Sequence, residues 1–199
     1  MNRFENWICS TSFWRGVTRK TVLPWLLSGV ELGDHVLEIG AGAGAATEEL
    51  RSRVFRVTSL EYSRELVVKL AARGNRQGGD TSSNGGVLQG DASALPFPAK
   101  TFSAVIAVLM LHHLKSREVQ DAVFAEVFRV LRPGGNFVAL DIPDGWLNRI
   151  AHIRSTFVPV APSTVSDRLI AAGFSNVSLN FRRAHFRFLA SRARNAANS

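Results

Sequence analysis

Short apolar runs alternate with amphipathic stretches over most of the chain. The runs are nearly continuous in Val, Ile, Leu and Phe, which is typical of strands that are covered on both faces of a sheet. Five of them are predicted to be strands, over residues 35–39, 54–60, 87–89, 104–110 and 136–142.

A helical period lies between the last two of these strands. Val119, Val123 and Val127 recur at four-residue spacing in residues 117–131, and the pattern stops at Pro133. Alternation of strands and helices predicts an α/β fold, with a Rossmann-like, mostly parallel sheet and helices on both of its faces.

The end of the chain departs from this alternation. A predicted helix at residues 163–172 ends at Gly173, and two predicted strands follow at 176–181 and 185–190. The three residues between these strands are too few for a parallel crossover, so the pair is predicted to form a C-terminal antiparallel hairpin. An apolar, helical lead-in is predicted at 18–30, before the first strand.

Length and composition indicate a single domain. The chain has 199 residues, 46% of them hydrophobic, which suits one domain with a sizeable core. Its parts are a lead-in (1–34), a cofactor-binding core (35–142), a substrate-side segment with the hairpin (143–190) and a disordered tail (191–199). The single cysteine, Cys9, excludes an intramolecular disulfide and a C-x-x-C metal site. No apolar run is long enough to span a bilayer, and we expect a soluble cytoplasmic protein.

The net charge of +8 is concentrated in the C-terminal third. Residues 142–199 contain eight arginines and two aspartates, which accounts for +6 of the total. Charge runs of this kind usually form a solvated edge, and that is the expectation here. An anionic substrate, a nucleic acid or an acidic membrane surface remain alternatives that charge alone does not separate.

The most informative segment is the glycine turn after the first predicted strand. Gly40, Gly42 and Gly44 stand at alternate positions before a predicted helix, where glycine allows a tight turn and close approach of a ligand. The turn also fits the dinucleotide fingerprint. Glu61, 21 residues after Gly40, could accept both hydroxyls of a ribose.

Glu38 indicates whether the glycine turn binds a dinucleotide or a ligand without phosphate. A carboxylate two residues before Gly40 would repel a pyrophosphate but would suit a ligand that carries an ammonium or sulfonium group, such as S-adenosylmethionine. Asp91, after the third predicted strand, could accept a hydrogen bond from an adenine amino group. Ligands of open α/β sheets bind at the carboxyl ends of strands, where Glu38, Glu61 and Asp91 all lie.

These motifs resemble those of the class I S-adenosylmethionine-dependent methyltransferases, in the ubiquinone/menaquinone-biosynthesis-like small-molecule branch. The matching segments are E-x-G-x-G-x-G at 38–44, SLEYS at 59–63, QGDASALPFP at 89–98, VLMLHHL at 108–114 and VLRPGGNF at 130–137. Ser103 departs from the family, which usually has an acid there, and this is expected to affect strand capping more than chemistry.

The resemblance implies a seven-stranded sheet, methyl transfer and a role for each matching residue. Gly40, Ala41 and Gly42, within the turn that ends at Gly44, would pass under the methionine part of the cofactor. Glu38 would lie near its amino group, and the Val108 backbone near the methionine end. Glu61 would hold the ribose, Tyr62 would flank the adenine, and Asp91 and Ala92 would read the adenine edge.

The acceptor side is less defined. His112 and His113 follow the fourth predicted strand and are the candidate substrate-proximal residues, although neither is assigned as a base. No catalytic residue is assigned, because methyl transfer from a sulfonium needs mainly alignment and desolvation. No metal is required either. His152 and Trp146 could contact substrate, and Trp14 and Trp25 could form part of a lid, although packing is the simpler interpretation of these aromatic residues.

Several acceptor classes are disfavoured. The N/D-P-P-Y/F turn of base-amino methyltransferases is absent after the fourth predicted strand. Cytosine-C5 methylation needs a thiolate at the site, but the single cysteine, Cys9, lies in the amino-terminal lead-in. Metal-dependent catechol methylation would need acidic ligands after the fourth strand, where this chain has histidines. Small molecules remain as acceptors, including a lipid at an anionic membrane surface with peripheral contact. A non-catalytic S-adenosylmethionine-binding module is a further alternative. A nicotinamide enzyme is disfavoured by Glu38, and nucleic-acid binding rests on the arginines alone.

Overall fold

The computed structural model describes residues 11–76, 85–151, 156–182 and 184–194. Cys9 and His152 fall outside these ranges, as do two of the eight C-terminal arginines, Arg154 and Arg183, and the end of the tail, residues 195–199.

Seven strands form the sheet. They are β1 (His35–Ile39), β2 (Arg56–Glu61), β3 (Val87–Gln89), β4 (Phe102–Val108), β5 (Leu131–Asp141), β6 (Ser175–Phe181) and β7 (Phe186–Ser191). The α-helices are α1 (Ser12–Val17), α2 (Leu23–Leu26), α3 (Thr47–Arg51), α4 (Arg64–Arg76), α5 (Arg117–Val130), α6 (Trp146–Ala151) and α7 (Pro162–Ala171). A π turn (Thr18–Val22) joins α1 to α2, and a 3₁₀ turn (Leu111–His113) follows β4.

The strand order is β3-β2-β1-β4-β5-β7-β6. Strands β1 to β5 pair in parallel, whereas β7 pairs antiparallel with both β5 and β6. The predicted Rossmann-like sheet with a C-terminal antiparallel hairpin is therefore confirmed. Because the first four strands are parallel, their carboxyl ends meet at one edge of the sheet.

Apolar side chains cover both faces of the sheet. Along β4, Val105 and Ala107 pack in one cluster with α5 and α7, while Ala104 and Ile106 pack in the other with the lead-in and α3. The same alternation occurs along β5, as expected for residues of period two. The prediction of helices on both faces is confirmed.

The helix before β5, α5, ends at Val130, one residue before the end of the predicted helical pattern. Residue Leu131, predicted to close the helix, is extended and already pairs with Phe102, so β5 begins five residues before the predicted start at 136. Pro133 disfavours helical backbone at the residue before it and cannot donate a helical hydrogen bond. The pairing register shifts between Phe102, which is opposite Leu131, and Ala104, which is opposite Asn136.

The lead-in is helical from Ser12 to Leu26 rather than from 18 to 30. The π turn ends two residues before Pro24, whose ring would clash in α geometry with the carbonyl four residues earlier, within the π turn. At its other end the lead-in is tied to the sheet by Ser103. The Ser103 hydroxyl accepts a 2.9 Å hydrogen bond from the His35 amide and donates one of 2.7 Å to the Leu32 carbonyl.

Arg187 and Arg192 of the basic C-terminal segment cap helices and are only partly exposed, which corrects the expectation of a solvated edge for these two residues. Arg149, Arg182 and Arg194 are exposed as expected. The guanidinium of Arg187 donates hydrogen bonds to the carbonyls of Trp25, Leu26 and Ser28 at the end of α2. Arg192 does the same for the carbonyls at the end of α5 and lies 4.5 Å from the Phe128 ring. Helix C-termini favour cations, because their last carbonyls lack backbone partners.

None of the helices in the described ranges is long and apolar enough to cross a membrane.

Candidate active site

A cavity of about 520 Å³ opens at the carboxyl ends of β1 to β4. Its walls come from the glycine turn after β1, the ends of β2 and β3, the segment after β4 and the lead-in. The volume lies in the range of small-molecule sites, about 300–1,000 Å³. The cavity therefore brings together segments that are far apart in the sequence.

The glycine turn forms the floor of this cavity. Gly42 has φ +56°, and a Cβ placed there would meet no atom within 4 Å, so its side-chain position opens into free space. Gly40, at φ +69°, packs so closely on Met110 that a Cβ would lie 2.7 Å from that side chain. The helix after the turn, α3, has only five residues and starts at Thr47. The turn itself, rather than a long helix amino terminus, lines the cavity.

Glu61, at the end of β2, is buried and holds the turn in place. Its Oε2 accepts a 2.8 Å hydrogen bond from the Gly42 amide, and its Oε1 accepts one of 2.8 Å from the Ser63 amide. Each carboxylate oxygen can accept a second hydrogen bond. Glu61 can therefore support the turn and accept bonds from a ligand.

Glu38 is a buried carboxyl that borders the cavity. The hydroxyls of Thr47 and Ser59 donate hydrogen bonds of 2.5 and 2.9 Å to its Oε2. Burial raises the pKa of Glu38 from its ordinary value of 4.5 to about 7, because the two hydroxyl donors offset only part of the desolvation of the charged form. A cation in the cavity would favour the ionised carboxylate.

The ends of β2 and β3 form the more exposed side of the cavity. Tyr62 is 67% exposed, and Ala92 is buried in the wall. Asp91 accepts hydrogen bonds of 2.8 and 2.7 Å at Oδ1 from the amide and hydroxyl of Ser93. These bonds hold the carboxylate at the rim.

The segment after β4 contributes an apolar wall made by Val108, Leu109 and Met110. Leu109 has φ +52°, a left-handed conformation that is costly for a branched side chain. Strained backbone of this kind persists mainly where the surrounding structure supports it, often at functional sites. Here the Leu109 amide donates a 2.8 Å hydrogen bond to the Leu140 carbonyl.

The two neighbouring histidines lie in different environments. His113 lines the cavity, whereas His112 is buried behind it and its Nδ1 donates a 2.6 Å hydrogen bond to Asp141. The Asp141 carboxylate is fully buried and also accepts hydrogen bonds from the amides of Leu111 and Ile142. The centroids of the two imidazole rings are 4.1 Å apart, so His112 packs against the His113 ring, which faces the cavity.

Most residues singled out in the sequence share this cavity. Those that line it are Glu38, Gly40, Ala41, Gly42, Glu61, Tyr62, Asp91, Ala92, Val108 and His113. Gly44 lies outside it and packs on Leu70, and His112 lies behind it. Trp14 lines the cavity; Trp25 instead lies under the Arg182 guanidinium, and Trp146 is exposed outside the cavity.

Sequence reasoning missed other lining residues, among them Thr18, Leu109, Met110, Lys115 and Thr156. Leu109, Met110 and Lys115 lie in or next to the VLMLHHL motif, and that proximity was a signal that could have identified them. No signal in the sequence identified Thr18 or Thr156. Within the described part of the chain, no group of three or more His, Cys, Asp or Glu side chains could hold a metal ion.

Comparison with known protein families gives a match to the methyltransferase domain over residues 37–139, slightly more than half of the chain. The chain belongs to the methyltransferase domain family. The match confirms the resemblance to the class I S-adenosylmethionine-dependent methyltransferases. The matched segment runs from β1 into β5 and contains the glycine turn, Glu61 and Asp91.

Curated methyltransferases share the matched region. The chain is 39% identical over 112 residues to a fatty-acid O-methyltransferase of Mycolicibacterium smegmatis, an alignment that covers 55% of this chain and 37% of that protein. It is 32% identical over 117 residues to a ubiquinone/menaquinone biosynthesis C-methyltransferase of Saccharophagus degradans, covering 58% and 45%. The matched stretch thus spans less than half the length of these relatives.

Likeness in fold to a solved structure extends beyond the matched segment. The structure of the PH0226 protein of Pyrococcus horikoshii superposes with a TM-score of 0.77 at 18% identity, covering 93% of this chain and 94% of that one. This likeness concerns the fold alone.

Proposed function

We propose that the cavity holds S-adenosylmethionine in an extended form and that the domain transfers its methyl group to a small apolar acceptor. The observation that carries this proposal is that Gly42, Glu61 and Asp91, from three different strand ends, line one cavity. The methionine part would lie over the glycine turn, the ribose beside Glu61 and the adenine between Tyr62 and Asp91.

The chemistry of the lining residues fits such a ligand. The open position at Gly42 allows close approach to the backbone, and Glu61 supplies a buried acceptor for the ribose hydroxyls. Glu38 supplies a carboxylate near the turn, where a phosphate would be repelled and an ammonium would be attracted. These features favour a sulfonium cofactor over a dinucleotide.

The bound cofactor supplies a methyl group that its sulfonium has already activated for in-line displacement. The protein's part is to align the acceptor and to exclude water. Val108, Leu109 and Met110 provide an apolar wall for this purpose. His113 would face the acceptor, and His112 and Asp141 would hold its ring in place.

A lipid acceptor at an anionic membrane surface is a second candidate. Trp146 and Ile150 are four residues apart on α6 and are 70% and 55% exposed. Residues with this spacing share one helix face, and an exposed apolar face beside an arginine suits an interfacial contact. By its name, the Mycolicibacterium smegmatis relative acts on a fatty acid. A cytoplasmic location is part of the proposal.

A transfer assay tests the proposed activity. The full chain would be incubated with S-adenosylmethionine that carries a labelled methyl group, separately with a long-chain fatty acid, a quinol and a sterol, with and without anionic vesicles. Label in the organic extract, absent for a Gly42→Val variant, is the expected result. Cofactor binding without transfer to any acceptor would instead favour a non-catalytic binding module.

A further inference from the structure

The lead-in supplies a wall of the cavity that lies outside the segment matched by the family. Trp14 of α1 and Thr18, the first residue of the π turn, both line the cavity, whereas the family match begins at residue 37. The two residues are four positions apart in a helical segment, so their side chains share one face. The lead-in therefore belongs to the site as well as to the core.

Thr18 carries a buried hydroxyl without a partner. Five buried side-chain polar atoms lack a hydrogen-bond partner within the described residues, and only one of them, Thr18 Oγ1, belongs to a residue that lines the cavity. Thr18 is 1% exposed. A buried polar group that makes no hydrogen bond is destabilising and calls for an explanation.

The local backbone does not satisfy this hydroxyl. A helical threonine commonly donates to the carbonyl one turn earlier, but here the Trp14 carbonyl accepts the backbone amide of Thr18, and Oγ1 makes no such bond. The Thr18 carbonyl in turn accepts the Leu23 amide in π geometry. π turns are rare and occur frequently at functional sites. In this conformation the Thr18 hydroxyl is available to hydrogen-bond a group that enters the cavity.

The packing of the lead-in indicates which end of the cavity Thr18 borders. Val17 and Val22, on either side of Thr18, pack in the same apolar cluster as Ala46 and Val108. Ala46 follows the glycine turn, and Val108 ends β4, whereas Ala92, beside Asp91, packs in the cluster on the opposite face. Thr18 therefore lies at the glycine-turn end, where the proposed cofactor pose puts the methionine part.

We infer that the Thr18 hydroxyl hydrogen-bonds the amino-acid end of S-adenosylmethionine and thereby holds the lead-in over the cofactor. This inference rests on the proposed function. The hydroxyl can donate to the carboxylate of that end, while Glu38 offers negative charge to its ammonium group. Thr18 is thus a cofactor-binding residue in a segment outside the matched domain.

A Thr18→Val variant tests the inference, because valine keeps the size of threonine and removes only the hydroxyl. Calorimetric titrations of the full chain would use two ligands: S-adenosylhomocysteine, and 5′-methylthioadenosine, which lacks the amino-acid end. We expect Thr18→Val to bind S-adenosylhomocysteine about tenfold or more weakly and 5′-methylthioadenosine as tightly as the unaltered chain. Its Tm should be unchanged or higher. Thr18→Ser, which keeps the hydroxyl, should bind both ligands with near-normal affinity.

Thr58→Val is the matched control, because Thr58 is also buried but lies outside the cavity and pairs with His35 at 3.0 Å. It should lower the Tm and leave both affinities unchanged. Equal S-adenosylhomocysteine affinity in Thr18→Val and the unaltered chain would overturn the inference, as would an equal loss for both ligands. Thr18→Ala gives the same comparison if the valine variant does not fold. If the unaltered chain binds neither ligand, the proposed function fails as well.

Discussion

The backbone amide of Gly42 donates a 2.8 Å hydrogen bond to Glu61 Oε2, which joins the glycine turn to the end of β2 across nineteen residues. The other oxygen of Glu61 accepts the Ser63 amide. One buried carboxylate therefore fixes the shape of the turn and the start of the next loop, and it does so at the wall of the cavity.

Replacing Glu61 by alanine should weaken cofactor binding. The ribose hydroxyls would lose a charged acceptor worth roughly 1.5–3 kcal/mol, about a 10- to 150-fold rise in Kd. Calorimetric titration with S-adenosylhomocysteine measures this change. Glu65→Ala is the control, because Glu65 is exposed, lies outside the cavity and pairs with Lys69 one turn along α4. Unchanged affinity in a folded Glu61→Ala variant would remove Glu61 from the site.

Gly42→Val should abolish cofactor binding by placing a branched side chain in the open space of the cavity. A left-handed backbone makes any such substitution costly, by about 1–2 kcal/mol. Gly29→Val controls for this cost, since Gly29 also has a positive φ, +72°, and open space at its Cβ, but lies outside the cavity. Both variants should lose similar stability, measured by urea unfolding. Normal binding by Gly42→Val would mean that the turn has only a structural role.

Titration of Glu38 should destabilise the folded state as the pH rises. The folded carboxyl keeps its proton up to about pH 7, because burial raises its pKa, whereas the unfolded one loses it near 4.5. Between these values the folded state binds more protons, so the free energy of unfolding decreases with rising pH. The difference between the folded and unfolded pKa values corresponds to a decrease of roughly 3 kcal/mol in the free energy of unfolding. Urea unfolding of the unaltered chain and Glu38→Gln should show this decline only in the former; parallel curves would contradict it.

Glu38 should also make cofactor binding depend on pH. An ammonium group beside Glu38 would favour the ionised carboxylate, so affinity for S-adenosylmethionine should increase between about pH 6 and 7.5. The Glu38→Gln variant separates this effect from the titration of histidines. Calorimetry at several pH values should give a much flatter profile for the variant. An identical pH dependence in both proteins would place the ammonium group elsewhere.

Asp141→Ala should destabilise the protein strongly. The substitution would leave His112 and two backbone amides without their acceptor in a fully buried position, at a cost of about 3–5 kcal/mol. Asp144→Ala is the comparison, because Asp144 forms an exposed pair with Arg149 and its loss should leave stability almost unchanged. Thermal unfolding of both variants measures the difference. Similar Tm values would show that the Asp141 hydrogen bonds contribute little.

Patterns that depend on residues close together in the sequence predicted most of the fold. The apolar runs gave β1 and β3 with their observed bounds, and the short linker between the last two strands required the hairpin. The start of β5 could not be read this way, because pairing of Leu131 with Phe102 decides it. Tertiary contacts override local signals at such boundaries.

The site residues that belong to sequence motifs were predictable, whereas those that only tertiary packing brings to the cavity were not. Glu38, Glu61 and Asp91 lie at or just after the carboxyl ends of strands whose order the sequence indicates, and all three line one cavity. Thr18 lines that cavity only because the lead-in folds back over the glycine turn, a contact between distant segments. The arginines show the same limit: nothing local to Arg187 indicates that the carbonyls of α2 lie within reach.

Binding of the cofactor is the central claim, and calorimetric titration of the purified chain tests it most directly. The chain would be titrated with S-adenosylmethionine, with S-adenosylhomocysteine and, as a control, with NADH. We expect micromolar binding of both adenosyl ligands and none of NADH. Binding of NADH alone, or of none of the three, would contradict the account.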